Sequence, residues 1–195
     1  MTDQFTIIPA RKTDASAIAR AIVMAVGEEI AAGLAGSAER LPLVDEMFTE
    51  LAERTDSQYS YKNSLVALAA DGTVAGVLVS YDGARLIELR HAFFDAAERI
   101  LGMHFDDTLE PETSPDEIYL DSLAVFPGYR GHALGSRLIE AAAERHKESG
   151  KPLGLLVDPP NTRAAALYET LGFVRVGRRP FAGTEMYHMQ RQVQQ

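Results

Sequence analysis

The order of residues 120–138 limits this chain more than any other stretch. Residues 120–125 are mostly apolar and β-prone, Pro127-Gly128 ends the run, and Leu134, Leu138, Ala141 and Ala142 then recur at helical spacing. The reading is a strand, a tight glycine-containing loop and a helix. Such a junction turns the free backbone N–H groups of residues 130–135 and the positive end of the helix dipole toward one point, which suits a phosphate or pyrophosphate. An ordinary strand-to-helix connection has the same outline, so the loop alone does not specify a ligand.

Further on, residues 157–173 carry Asn161, Tyr168 and the run Leu171-Gly172-Phe173. Taken together the two stretches resemble the GNAT superfamily of N-acyltransferases. That family's acyl-CoA loop reads Arg/Gln-x-x-Gly-x-Gly/Ala, and Arg130, Gly131, His132, Ala133, Leu134 and Gly135 match it apart from one position. Ala133 stands where the central glycine is usual; its methyl group is tolerated at negative φ and strained at positive φ. The spacing from Asn161 to Tyr168 followed by Leu-Gly-Phe is also similar to the family. The likeness is most specific over about residues 118–190 and only topological before them.

The resemblance implies an α/β fold with a mixed, mostly antiparallel sheet of six or seven strands flanked by helices. It implies one domain over residues 1–195, with an inserted helix and acidic loop at about 84–117. The activity implied is direct transfer of an acetyl group from acetyl-CoA to an amine of a small molecule or peptide, within a ternary complex; a homodimer is left open. A non-catalytic acyl-CoA-binding or regulatory module is the alternative, disfavoured by the presence of Tyr168 and Asp121. A nucleotide-binding βα unit is weaker, because the loop lacks a Gly-Lys-Ser/Thr tail and the chain has no Gly-x-Gly-x-x-Gly.

Composition narrows this further. The 195 residues suffice for a single core, with 46% hydrophobic and 24% charged residues as in an ordinary soluble protein. No apolar run approaches the ~20 residues of a membrane span, and the first residues lack the pattern of a signal peptide, so a cytoplasmic protein without membrane association is expected. The chain has no cysteine, which excludes disulfides, thiolate metal sites and a cysteine nucleophile, and its 5 histidines show no ligand spacing, so no metal is expected. A net charge of −9 argues against nucleic acid as partner. The same charge serves solubility, and it also suits attraction of a cationic amine.

Along the chain, residues 5–9 read as a strand, and Thr13 or Asp14 caps a helix with Ala15, Ile18, Ile22 and Val26 on one face. Residues 27–37 read as flexible or turning backbone, residues 42–54 as a helix, and residues 64–70 and 73–81 as a hairpin closed by a two-residue primed turn at Asp71-Gly72. Residues 84–101 describe an amphipathic helix through Leu86, Leu89, Phe93, Ala96 and Ile100. Residues 106–117 carry six carboxylates and two prolines and read as an exposed loop. A helix then runs to about Glu148 with Gly150 as its cap, residues 152–157 form a buried strand, and Asn161 caps a helix over residues 162–171 that Gly172 ends. Residues 173–178 and 184–190 close a terminal hairpin.

By resemblance, the backbone of Arg130, Gly131, His132, Ala133, Leu134, Gly135 and Ser136 holds the CoA pyrophosphate. Leu123, Ala124 and Val125 bind the pantetheine arm and polarise the thioester, and Asn161 and Tyr168 also contact the cofactor. Tyr168 is the family's thiolate-protonating position; a phenol of pKa near 10 suits that role, while packing in the core is the other reading. Alternate strand residues point to one side, so Glu117, Tyr119 and Asp121 face the substrate together. Asp121 is either the base, acting through water, or an acid that bonds neighbouring backbone. Glu28, Glu29, Tyr81 and Phe181 lie on segments that resemble substrate-side loops of the family.

Overall fold

The structure is a computed structural model that describes residues 4–106 and 108–192. Asp107, one of the carboxylates counted in the acidic loop, and the first three residues, on which the signal-peptide expectation rests, lie outside it. Seven strands form one sheet: β1 (Phe5–Pro9), β2 (Ser64–Ala69), β3 (Val74–Asp82), β4 (Ile118–Val125), β5 (Leu153–Val157), β6 (Val174–Phe181) and β7 (Thr184–Arg191). Their order is β1-β2-β3-β4-β5-β7-β6, and every neighbouring pair is antiparallel except β4 with β5.

Helices cover both faces. On one, α1 (Ala15–Val26) and α3 (Leu41–Glu53) bury Ile18, Ile22, Met47, Phe48 and Leu51 against Val66, Val77 and Val79. On the other, α5 (Leu134–His146) buries Leu138, Ile139 and Ala142 against Leu65, Leu78 and Leu155. These are the three-to-four-residue spacings of amphipathic helices laid on alternate residues of the sheet. The helix expected over residues 84–101 is α4 (Leu86–Ala96), prolonged by a π turn at Ala97–Leu101. Helix α6 (Thr162–Thr170) begins with Asn161 Oδ1 accepting the Ala164 N–H at 3.1 Å.

Local chemistry corrects several expectations. Residues 27–37 are not turning backbone: α2 (Glu28–Ala35) lies between Gly27 (φ 89°) and Gly36 (φ 75°), burying only Ala31 and Ala35, so its apolar stripe is too thin to read as a helix. Neither Thr13 nor Asp14 caps α1 with its side chain, because the Asp14 carboxylate accepts the Arg11 N–H at 2.8 Å. The β2–β3 loop is not a primed two-residue turn. Ala69 pairs with Thr73, Gly72 N–H bonds Ala69 C=O at 2.9 Å, and only Gly72 has positive φ, which makes a three-residue loop ending in a left-handed glycine. The primed turn occurs instead between β6 and β7, where Ala182 (φ 48°) and Gly183 (φ 79°) separate the paired residues Phe181 and Thr184.

The acidic loop is not wholly exposed either, and the Glu117 carboxylate is turned into the protein interior. Glu117 is 0% exposed, and its carboxylate accepts from Thr113 Oγ1 at 2.7 Å, Ser114 N–H at 2.8 Å, Gln190 Nε2 at 2.7 Å and His188 Nε2 at 2.8 Å. It sits over Gly154, where a Cβ would come within 1.9 Å of its oxygen, so β5 accepts it only as glycine. Burial opposes the charge, but the hydrogen bonds outweigh it and hold the carboxyl at about 2.

This cluster clamps β4 to β5 at one end. The two strands pair only at Ile118–Leu153 and Tyr119–Gly154 and then separate. Just beyond the clamp, Val79 pairs with Ser122 and Ser80 with Leu120, leaving Asp121 as the extra residue of a bulge. The bulge breaks the alternation, so Leu120 and Leu123 both lie on the α5 side. Tyr119, 4% exposed, is packed in the opposite core.

A buried carboxylate with a folded pKa below its unfolded value binds fewer protons than in the unfolded chain. Its contribution, roughly 3 kcal/mol, is complete above about pH 4.5 and is lost as pH falls toward about 2. Glu117→Gln is expected to lower stability by about 2–4 kcal/mol at neutral pH and to flatten the acid limb of the stability curve, measured by urea unfolding at a series of pH values.

Candidate active site

Where β4 and β5 part, each loses its partner on the facing edge. The ladder places the Phe126 N–H on the Ala75 carbonyl at 2.9 Å; alternation then directs the N–H and C=O of Ala124 to β3 and turns those of Leu123 and Val125 into the gap. Ala124 is thereby withdrawn from the expected cofactor strand, with its methyl 7% exposed in the core and its backbone paired. A cavity of about 990 Å3 fills the gap. Leu120, Asp121 and Leu123 of β4 line it, with Leu155–Asp158 opposite, Asn161, Ala164 and Tyr168 of the α6 region, and Glu28, Glu29 and Phe181 at the open side.

The loop before α5 stands beside this cavity and lines none of it. Among the described residues, none of the backbone N–H groups of Gly131, His132, Ala133, Leu134, Gly135 and Ser136 donates to a protein acceptor, whereas the Arg137 N–H already bonds the Ala133 carbonyl at 3.1 Å. Six donors thus gather at the positive end of a 13-residue helix. Gly135 lies 3.9 Å, by the position of a Cβ, from both Leu123 of the cavity wall and Leu167 beside Tyr168, which joins the loop to the gap. Ala133 has φ 54° and is left-handed, the strained alternative for a residue with a methyl group. Arg130 Nε donates back to the Val125 carbonyl at 3.3 Å.

Asp121 is half-buried on the cavity wall. Its oxygens accept Tyr81 O–H and Ser122 O–H, each at 2.8 Å. Burial raises its pKa above the ordinary carboxylate value; Ser122, Tyr81 and the neighbouring Gln58 oppose the rise without cancelling it. Tyr81 is therefore a support for Asp121 and does not touch the cavity. It is buried edge-on against Tyr119 at 5.9 Å, and burial with the nearby charge of Asp121 pushes both phenols well above 10. Tyr168 is half-buried, edge-on to Phe173 at 5.8 Å, and burial raises its pKa too.

Of the residues singled out from sequence, the fold brings Asp121, Leu123, Asn161, Tyr168, Glu28, Glu29 and Phe181 to one cavity and Gly131–Ser136 to its margin. Glu117, Tyr119, Tyr81 and Ala124 lie behind it. Sequence reasoning missed Gln58 and Glu112, whose proximity to Asp121 depends on packing between distant segments, and Arg90, which pairs with Glu112. Among the described residues no group of histidines and carboxylates is placed to hold a metal ion, and no helix is long and apolar enough to cross a membrane.

A sheet opened between two parallel strands, with a donor-lined helix start at its side, is the arrangement of an acyl-CoA-dependent acetyltransferase. The acetyltransferase (GNAT) family model matches residues 37–173, and the chain belongs to that family. A solved acetyltransferase is 31% identical, with a TM-score of 0.76 over 97% of this chain and 100% of that one. An N-acetyltransferase from Staphylococcus aureus Mu50, at 22% identity and a TM-score of 0.73 over 95% and 99% of the two chains, shares the fold. Among curated proteins, the uncharacterized protein ML0378 of Mycobacterium leprae (strain TN) is 35% identical over 86 residues, which are 42% of this chain and 23% of that protein. N-alpha-acetyltransferase 30 of Saccharomyces cerevisiae is 36% identical over 61 residues, 31% of this chain and 35% of that one. The matches thus span about a quarter to a third of those two proteins' length.

Ala133→Gly is expected to relieve the left-handed strain and raise stability by up to about 1 kcal/mol, the entropy of glycine in the unfolded chain offsetting part of the gain. Thermal unfolding of the two proteins side by side measures it.

Proposed function

We propose that the protein is an N-acetyltransferase that moves an acetyl group from acetyl-CoA directly to an amine in a ternary complex. The observation that carries this reading is the meeting, in one place, of an unpaired strand edge, six free N–H donors, and Asp121 and Tyr168 on one cavity wall or another. The N–H groups of Gly131–Ser136 fit a pyrophosphate, and the inward-turned backbone of Leu123 and Val125 fits the amides of a pantetheine arm, which would complete the ladder that β5 abandons. A backbone N–H of this edge is also the group available to polarise the thioester carbonyl.

The side chains then divide the proton transfers. Asp121 takes one proton from the bound ammonium, directly or through water, and the neutral amine so formed attacks the thioester carbon; the second N–H proton leaves to solvent or to the Tyr168 phenolate as the amide forms. The raised pKa of Asp121 brings it closer to that of an amine than a free carboxylate comes. Tyr168 gives its phenolic proton to the sulfur as the C–S bond breaks, and its burial keeps it protonated at neutral pH until then. Glu28 and Glu29 at the cavity's open side favour a cationic acceptor.

Thiol release from acetyl-CoA over a panel of amines tests the reading. Tyr168→Phe is expected to lower kcat by about 10- to 10⁴-fold while CoA affinity, read by calorimetry, is little changed. Full turnover in that variant would return Tyr168 to a packing role. In the parent enzyme kcat/KM should fall as pH drops through the raised pKa of Asp121, and Asp121→Asn should lower kcat and remove that limb of the profile.

A further inference from the structure

A second cavity, of about 460 Å3, lies beside the first, and the acetyl-transfer chemistry does not use it. It lies between α2, α4, the loop that follows α4 and the β6–β7 turn. Its walls are aromatic: Phe48, Tyr59, Phe93, Phe94, Phe105 and Phe181. These rings hold one another, Phe48 edge-on to Tyr59 at 5.1 Å, Phe93 tilted on Phe105 at 5.3 Å and Phe94 stacked on Phe105 at 5.9 Å. Arg90, 3% exposed, fastens the outer wall by donating to the Leu109 carbonyl at 2.7 Å and to Glu112 at 3.2 Å.

Two further features make this chamber a site for a particular kind of ligand. Gln58 on its wall is 3% exposed, and among the described residues its Oε1 has no hydrogen-bond partner. A buried acceptor left unpaired is costly, and a donor on a ligand would relieve it. The chamber also adjoins the transfer cavity, since Val26, Ile30, Leu34, Phe105, Phe181 and Ala182 line both. Phe105 and Phe181 thus stand between a molecule seated here and the cavity that Asp121 lines. Of the two carboxylates on the lining, Glu112 is paired with Arg90 and burial holds it at about 7, while Glu110 lies at the exposed margin. A polycation or a sugar rich in hydroxyls would enter a wall of rings with few partners for its polar groups.

We propose that this chamber receives the body of the acetyl acceptor, and that the acceptor is a primary arylalkylamine: its ring lies among the aromatic side chains, a ring O–H or N–H donates to Gln58 Oε1, and its amino group extends past Phe105 and Phe181 to Asp121. The inference rests on the acetyl-transfer reading and adds the substrate class to it.

The test compares tyramine, phenethylamine, spermidine, an aminoglycoside and a peptide with N-terminal phenylalanine as acceptors, with calorimetric binding of tyramine to the protein–CoA complex as a readout independent of turnover. The expected result is a kcat/KM at least about 10-fold higher for the two arylalkylamines than for any other acceptor. Gln58→Leu should lower the ratio of tyramine to phenethylamine affinity about 10-fold, because phenethylamine has no ring donor to lose. Phe181→Ala, at the hairpin tip, provides a second variant and should weaken binding of both. Preference for spermidine, the aminoglycoside or the peptide overturns the chamber's assignment and leaves acetyl transfer standing. Tyramine binding that responds to Gln58→Leu without thiol release upholds the chamber and overturns acetyl transfer. Absence of tyramine binding overturns the assignment whatever the enzyme acetylates.

Discussion

Two parallel strands clamped at one end and parted at the other set the conditions for everything else in this fold. The clamp is the buried Glu117 carboxylate, which gathers donors from the preceding loop and from β7 and fits over β5 only because residue 154 has no side chain. Since a carboxylate accepts and never donates, the Nε2 of His188 must carry the hydrogen in this contact. Beyond it, the strands expose backbone groups that a folded protein does not leave buried and unpaired without a use. The gap is thus an obligation built into the sheet, and the helix start beside it and the side chains around it are placed to meet it.

Three carboxylates near this gap show how position decides chemistry. Glu117, surrounded by donors, is held at about 2 and stays charged. Glu112, buried with a single arginine partner, rises to about 7. Asp121 rises as well, while two hydroxyls fix its direction. The residues are chemically near-identical, and what separates a structural anchor from a group able to exchange protons is the count of donors set against the loss of water.

The parts legible in the sequence were those with a short-range cause. The strand, loop and helix of residues 118–146, the Asn161 cap and the terminal hairpin follow from periodicity and from residues that cap or turn the backbone. What escaped had a long-range cause. Helix α2 is too rich in small residues to display a face, and the bulge at Asp121 depends on a register set by β3. Glu117 looked like a member of an alternating row because nothing near it in sequence announces His188 and Gln190. The aromatic chamber is assembled from residues 48 to 181, so no window of the chain contains it.

The turn between β6 and β7 has a mechanical consequence. With Ala182 and Gly183 both left-handed and Phe181 paired to Thr184, the hairpin has no slack at its tip, yet that tip walls both cavities. Any widening of the cavities at this wall therefore falls to the arm as a whole. The arm's ladder is interrupted at Val176, where one residue has no counterpart between the pairs Arg175–Met189 and Gly177–His188. Access would then be set by how far a stiff lever tilts about that point, and substitutions there would tune how fast ligands enter and leave without altering a single atom that touches them.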